Sequence, residues 1–457
     1  MRIKKIELKN FKFHKDLEFE IKNDNCLIYG ENGTGKSSIY EALYSIFKVY
    51  FRNKDFTFYK FKNNNAIDDL SVKVTLDNDT ELIIPNENYK LPDNIEVKNK
   101  KTIYFINQDL LESLILYDNN FYGVIESNLK KYFTKLDIFC NIFDKINSDT
   151  VDLTHLEKAK LLVDNLNNLK NLLIEVENSS NDIIKNDFKE DFEISFEYRD
   201  TSSDNVDDID IIIYPTPNII LKIDNKDNLK QNFNEAKLKL TSIAIFFALI
   251  KLEEDKSNPL KLLVLDDFLT SLDMANRHYI IEYILNEFDD YQKIILTHNL
   301  QFYNLIIKLL KSKEDNSWDI KNIFLNVDKE ALIYTKETDY IKVAKTYLNT
   351  NSLDEAGIYL RKEFERIVEE LRIITQVGAK EKLSNIIKQL LDLSDTEDIN
   401  IKKMQNILKK TKFYQQTILH STAHDDIENE KYIKELNGEI VILTLLNKQI
   451  NILKKEN

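Results

Sequence analysis

The sequence predicts an α/β fold with a helical tail, and three observations carry that prediction. A glycine-rich loop at 30–37 joins the short apolar run 26–29 to Ile39, Ala42, Leu43, Ile46 and Phe47, which recur at helical spacing. Two later apolar runs of strand length, 261–265 and 294–296, each end in polar residues. From about residue 326 onward, the apolar residues fall on helical stripes.

The loop reads Gly30, Glu31, Asn32, Gly33, Thr34, Gly35, Lys36, Ser37, which fits the pattern G-x-x-x-x-G-K-[ST] without a mismatch. Glycines let the backbone wrap an anion with its N–H groups. Lys36 places a cation between β- and γ-phosphates, and the Ser37 hydroxyl can ligate Mg²⁺. With Ser38, these are the expected ATP-binding residues. Ahead of the loop, Ile3, Ile6 and Leu8, then Leu17, Phe19 and Ile21, have the spacing of strands. After it, Val72, Val74 and Leu76 and then Leu82 and Ile84 flank Asp77, Asn78, Asp79 and Thr80, the pattern of a hairpin in a β lobe.

The run 261–265 leads into Asp266 and Asp267, the form of a Walker B segment. Asp266 at a strand end can hold Mg²⁺ through water, and Asp267 lies where a base orients the attacking water. Alone, two acids after a strand would read as a turn or a helix cap. They are followed by Phe268, Leu269, Thr270, Ser271, Leu272 and Asp273, and some thirty residues later by 294–296 running into Thr297 and His298.

In this order, the phosphate loop, Asp266 with Asp267, the Ser271-Leu272-Asp273 run and the Thr297-His298 strand end resemble the ABC-type ATPase heads of the SMC, RecF and RecN group. The opening Lys9, Asn10, Phe11, Lys12, Phe13 is similar to the start of RecF- and SMC-like proteins. The resemblance implies an ABC-type P-loop ATPase head, a mixed β lobe plus a parallel-sheet core, with ATP and Mg²⁺ as cofactors. It implies Lys36, Gln108, Asp267 and His298 as catalytic residues and Ser37, Gln108 and Asp266 around the metal. Gln108, after the strand-like run 102–106, takes the place of the Q-loop glutamine. Residues 233–238 sit where the family's signature belongs, so Asn234 and Ala236, with Asp273 of the D-loop, would meet the γ-phosphate held by a second copy.

Two departures bear on activity. The signature usually reads Leu-Ser-x-Gly, and here Asn234 and Ala236 replace the Ser and Gly. Asn remains a good N-cap and its amide can donate to phosphate, whereas a methyl at Ala236 narrows backbone approach. Many such heads carry Glu where this chain has Asp267, one methylene shorter, so slow hydrolysis is expected.

Between the halves of the head, Ala159, Leu162, Leu166, Leu169, Leu173 and Val176 step by three and four for little more than two heptads. That length suits a stubby helical hairpin or an ordinary amphipathic packing face and is too short for a long arm. Strand alternation returns at Phe192, Ile194, Phe196 and Tyr198, then at 209–214 and 219–223. In the tail, Ser352 and Glu355 have capping-box spacing ahead of Leu353, Ala356, Leu360, Phe364, Ile367 and Leu371. The expected domains are 1–125 and 191–325 for the two halves of the head, 126–190 for the helical insertion and 326–457 for a helical domain.

Two tail features stay open. His420 and His424 cluster with Asp425 and Asp426, which suits a turn, a partner contact, a ribonuclease-type histidine or a metal site lacking an assignable third ligand. Lys402, Lys403, Lys409 and Lys410 recur at seven, giving either a solvated face or a phosphate-binding stripe.

Composition bounds the classes. The 457 residues are 43% hydrophobic and 31% charged with a formal net charge of −14, which excludes a generally basic nucleic-acid coat. Cys26 and Cys140 lack metal-ligand spacing and read as reduced thiols. The longest apolar stretch, 240–252, is shorter than a bilayer span, and the start lacks a leader's apolar core, so a cytoplasmic protein with no membrane partner is expected. The resemblance further implies a homodimer around sandwiched ATP, with higher assembly open. It also suggests the small SMC-like ATPases of bacterial phage defence, which act on a separate effector, a nuclease or toxin. A RecF-like DNA-repair ATPase and a slowly hydrolysing scaffold are the alternatives, and nucleic acid remains a candidate ligand.

Overall fold

The structure, a computed structural model, describes residues 1–50, 58–63, 69–85, 102–115, 120–148, 153–199, 216–254, 258–326, 330–335, 340–349, 352–378, 383–393, 399–414 and 433–456. It divides into two compact units, Met1–Thr335 and Lys336–Asn457.

The first unit begins with β1 (Ile3–Phe11), β2 (His14–Glu20), β3 (Asn25–Gly30), β4 (Ser71–Leu76) and β5 (Glu81–Ile84). β2, β1, β4 and β5, in that spatial order, form an antiparallel lobe. Its strands alternate buried and exposed side chains because one face is solvated. Ile3 and Ile6 break that alternation in sequence, and the register shift between Ile3 and Lys5 lets both point inward. β3 differs. Cys26, Leu27 and Ile28 are all fully buried because the sheet around them is covered on both faces.

That second sheet adds β6 (Ile103–Asn107), β9 (Leu262–Asp266), β10 (Gln292–Thr297), β11 (Trp318–Leu325) and β12 (Ala331–Thr335), while β7 (Ile194–Arg199) and β8 (Asn218–Ile223) pair separately as an antiparallel ribbon. The spatial order is β12-β11-β3-β10-β9-β6, parallel except for β12. Residues 331–335, assigned above to a helical tail, thus close the edge of the head's sheet, Leu325 opposite Ala331 and Lys321 opposite Thr335. The head runs ten residues further than the helical stripes suggest, because a five-residue strand carries too little periodicity to stand out.

Helices α1 (Lys36–Tyr44), α2 (Gln108–Ser113), α3 (Phe121–Ser127), α4 (Thr134–Ile146), α5 (His155–Asp182), α6 (Leu229–Asn232), α7 (Glu235–Glu253), α8 (Met274–Glu287) and α9 (Leu300–Ser312) complete this unit. α7 is buried without interruption from Lys239 to Ile250, as a helix that is apolar all round must be. The stripe on α5 packs toward the head rather than projecting from it: Leu169, Leu173 and Val176 are buried in the head's core, and Leu162 and Leu166 lie partly buried against it. Glu253, at the end of α7, accepts from the backbone N–H groups of Thr134 (2.6 Å) and Lys135, capping α4 where Phe133 offers no side-chain acceptor. α5 starts with a full capping box, Thr154 with Glu157.

The second unit consists of α10 (Tyr340–Asn349), α11 (Leu353–Ile374), α12 (Leu383–Leu391), α13 (Ile399–Tyr414) and α14 (Ile433–Glu456). Ala356, Leu360, Phe364, Ile367 and Leu371 of α11 meet Leu436, Leu443 and Leu446 of α14 in one apolar core. The capping box expected at Ser352 does not form, since Ser352 makes no side-chain cap. Residues 418–426, with His420 and His424, and the run 209–214 lie outside the described residues. Among the described residues no helix is long and apolar enough to cross a membrane.

Candidate functional site

Parallel pairing brings the sheet's C-terminal ends to one edge, where ligands bind in open α/β sheets. Tyr29 lies opposite Thr297, and Leu296 opposite Asp266, which in turn lies opposite Asn107. The residues just beyond these positions are Gly30, His298, Asp267 and Gln108. Four motifs separated by up to 268 residues therefore share one rim, because each is read off the same end of a neighbouring strand.

The loop after β3 is shaped before any ligand arrives. Gly33 and Gly35 take left-handed φ values of 84° and 88°, which favour glycine. At Gly30 a Cβ would lie 2.3 Å from Ile323 Cγ2 of β11, so the strand end fits only glycine. Thr34 Oγ1 donates to the Glu31 carbonyl at 2.8 Å, and Lys36 Nζ donates to the carbonyls of Gly30 (2.7 Å) and Glu31 (2.9 Å). The Lys36 ammonium is buried, which lowers its pKa against the opposing fields of Asp267 and Asp266. It is a caged cation held where phosphate oxygens would replace two carbonyls. Ser37 is exposed, whereas Ser38 is buried beneath the first turn of α1.

Asp266 is 7% exposed, and its carboxyl is pushed up to about 6 by burial first and then by Asp267, against a hydrogen bond from Ser37 and the charges of Lys36 and His298. Its Oδ1 is buried without a hydrogen-bond partner. A cation at that oxygen would relieve both causes of the shift, so Asp266 and Ser37 fit Mg²⁺. No group of three or more His, Cys, Asp or Glu side chains that could hold a metal occurs among the described residues. The ion would have to arrive with phosphate ligands, which is how Mg²⁺ is commonly bound.

Asp267 has φ +44°, a strained backbone for a residue with a side chain. Its own N–H donates to the Leu296 carbonyl at 3.0 Å, and its Oδ1 accepts from the His298 N–H at 2.8 Å. Oδ2 lies 2.7 Å from His298 Nδ1, within ion-pair range but without a hydrogen bond from that ring nitrogen. Asp267 and His298 are thus joined across the tips of β9 and β10. Gln108 starts α2 beside them, but its Oε1 accepts from Thr270 Oγ1 at 2.6 Å and its Nε2 donates to Glu112 at 2.6 Å. The oxygen expected to face the metal is engaged by Thr270.

Asn234 caps α7, accepting from the Lys237 N–H at 2.9 Å, and is exposed; Ala236 is partly buried. Asp273 caps α8, accepting from the Asn276 N–H at 2.8 Å. Sequence reasoning missed three neighbours. Lys239, buried on α7, donates to Ser271 Oγ at 2.9 Å, and Arg277, buried on α8, donates to the Thr270 carbonyl at 2.7 Å. Lys239, the last charge before the uncharged run 240–250 of α7, was a readable signal. His14 gave none: alternation of Leu17, Phe19 and Ile21 puts odd positions inward, yet His14 is buried against Gly35.

Sheet order, phosphate loop and Asp266-Asp267 strand end, with the capped helix α7, define an ABC-type P-loop ATPase head. The profile of the RecF/RecN/SMC N-terminal domain matches residues 2–318, and the chain belongs to that family. Solved structures with a similar fold include the SMC head bound to the C-winged helix domain of ScpA, 14% identical over 74% of this chain and 99% of its own, with a TM-score of 0.42. RecF with ATP, from the RecFOR pathway, is 15% identical over 73% and 98%, with a TM-score of 0.44. The Smc head with an extended coiled coil bound to the C-terminal domain of ScpA, from Pyrococcus furiosus, is 12% identical over 76% and 99%, with a TM-score of 0.43. No curated protein matches the chain.

Proposed function

We propose that this chain binds ATP with Mg²⁺ and hydrolyses it slowly, as a dimer whose heads sandwich two nucleotides. The observation that carries the reading is the convergence of Lys36, Ser37, Asp266, Asp267, His298 and Gln108 on one sheet edge. In it, Lys36 holds the β- and γ-phosphates, while Ser37 and Asp266 take the metal that phosphate brings. Asp267 orients water as base with His298 beside it. Gln108, whose Oε1 accepts from Thr270, would be a further oxygen ligand for the metal if that hydrogen bond were given up. Exposed Asn234 at the start of α7 presents helix N–H groups to the partner's γ-phosphate.

A scaffold that stays ATP-bound is the second reading, favoured because Asp267 Oδ1 already accepts from the His298 N–H and Oδ2 faces the same residue's ring at 2.7 Å. Resemblance to phage-defence ATPases supports a sensor or regulator of a separate nuclease or toxin, with RecF-like DNA repair as the competing role; the neighbouring reading frame distinguishes them.

The composite site is tested by Asn234→Arg, which places a bulky cation at the paired helix start. ATP-driven dimerisation should be lost while each head still binds ATP. Sedimentation velocity with a non-hydrolysable analogue reads this, and an unchanged dimer would show that the heads do not pair through α7.

A further inference from the structure

The turn between β1 and β2 reaches the phosphate loop at a point that the proposed chemistry does not use. His14 is 2% exposed, and its Nε2 lies 2.9 Å from the Gly35 carbonyl oxygen. A carbonyl only accepts, so Nε2 carries the proton. Burial pushes the imidazole down to about 4, which leaves the ring neutral at physiological pH. Ring and glycine are fitted to each other: a Cβ at Gly35 would stand 2.5 Å from His14 Cε1 and 2.7 Å from Phe13 Cδ1. Two residues before His14, Lys12 pairs with Glu41 of α1, so the same turn also grips the helix that the loop opens.

The Gly35 carbonyl further accepts from the N–H groups of Ser38 (3.1 Å) and Ile39 (3.3 Å). Three donors therefore converge on one oxygen. The peptide joining Gly35 to Lys36 is planar and trans, so its N–H points opposite to its carbonyl. With the carbonyl held along α1, the Lys36 N–H is directed out of the helix start, where a phosphate would accept from it.

We propose that His14 is a positioning residue for nucleotide: by donating to Gly35 from the β lobe, it fixes the Gly35–Lys36 peptide so that the Lys36 N–H is preset for the β-phosphate. This deepens the ATP-binding reading and rests on it.

Full-length variants separate the donor from the packing. His14→Phe keeps the ring and removes the donor, whereas His14→Gln brings an amide N–H close to where Nε2 stood. Titration with a fluorescent ATP analogue and Mg²⁺, with steady-state turnover and thermal midpoints, should show about five- to tenfold weaker binding in His14→Phe. KM should rise by the same factor with kcat at saturation within about twofold, the mark of lost uniform binding. His14→Gln should restore affinity to within about twofold of wild type. Wild-type affinity in His14→Phe, or an equal loss in the Phe and Gln variants, overturns the proposal. Should His14→Phe fail to fold, His14→Asn replaces it, because its shorter amide falls short of Gly35; Asn binding as tightly as Gln overturns the proposal equally. A wild type that binds no nucleotide, or a Lys36→Ala variant that binds it undiminished, fails the ATP reading itself and is thereby told apart.

Discussion

Asp266 in the head and Glu439 in the helical unit are both buried acids with unpaired oxygens, yet they stand in different surroundings. Asp266 is pushed up to about 6 by burial and Asp267, and is partly pulled back by Ser37, Lys36 and His298. Glu439 is fully buried on α14, neither oxygen has a partner among the described residues, and burial alone pushes it up to about 7. A third acid, Glu363 on α11, shows how the helical unit satisfies a carboxylate: Arg366 donates to it twice, at 2.8 and 2.9 Å, and Asn447 once, at 2.6 Å. A buried carboxyl is therefore not by itself a site. What sets Asp266 apart is the convergence of other strand ends, each bringing a group of different chemistry to it.

The largest effects should come from breaking that convergence. Lys36→Ala removes the cation that bridges the Gly30 and Glu31 carbonyls, and ATP affinity should fall by at least about a hundredfold, read by equilibrium titration. Asp267→Asn keeps shape and size, so ATP should remain bound while single-turnover hydrolysis slows by about a hundredfold. Turnover near wild type in Asp267→Asn would remove Asp267 from the role of base.

A smaller effect should distinguish the two unpaired acids. Well below pH 4.5 Glu439 is neutral whether folded or not. As pH rises, the unfolded carboxyl ionises first and the folded one resists until about 7, so stability falls through that window and levels off above it. Glu439→Gln should flatten the fall and stabilise the helical unit by up to about 3 kcal/mol at pH 8, with ATP turnover unchanged. Without nucleotide, Asp266→Asn should flatten a similar fall, between about 4 and 6, in the head. With Mg²⁺ and ATP it should weaken binding instead. Thermal melts at pH 5 and 8, with and without Mg·ATP, read both; a nucleotide-dependent shift at Glu439, or none at Asp266, would erase the distinction.

The sequence made the head's rim legible because its chemistry sits on strand ends, where a short apolar run, a turn and a polar residue leave a local signature. Asp266, Asp267, Gln108 and His298 were placed at or just past such ends, with Lys36 opening the helix that follows another, and the structure sets those strand ends side by side. The rest depends on partners distant in sequence. His14 meets Gly35 across 21 residues, Gln108 meets Thr270 across 162, and neither partner's type announces the other. Strand β12 was missed for a related reason: an edge strand is defined by its pairing with β11, not by its five residues. In the tail the stripe of α11 was readable because burial there follows one helix face, whereas Ser352 shows that capping-box spacing does not ensure the cap.

The smallest effect concerns what the helical unit offers to others. Residues 336–457 carry 20 basic and 20 acidic side chains, so the entire net charge of −14 falls on Met1–Thr335. Within that neutral unit, α13 buries Met404 and Leu408 and exposes Lys402, Lys403, Lys409 and Lys410, none of them in an ion pair among the described residues. Residues seven apart share a helix face, so the four lysines form one basic stripe. Changing all four to Glu should abolish salt-sensitive binding to DNA or RNA in filter binding across a salt series. For a variant with two of the four reversed, the slope of log affinity against log salt should drop by nearly one unit for each phosphate that is no longer neutralised. ATP turnover without nucleic acid should stay within about twofold, since Lys36, Asp266 and Asp267 belong to the other unit. A wild type that binds no nucleic acid at low salt would make the stripe a solvated face. The functional contrast between the units would then rest on the head alone, and a protein partner would become the ligand to seek for the helical unit.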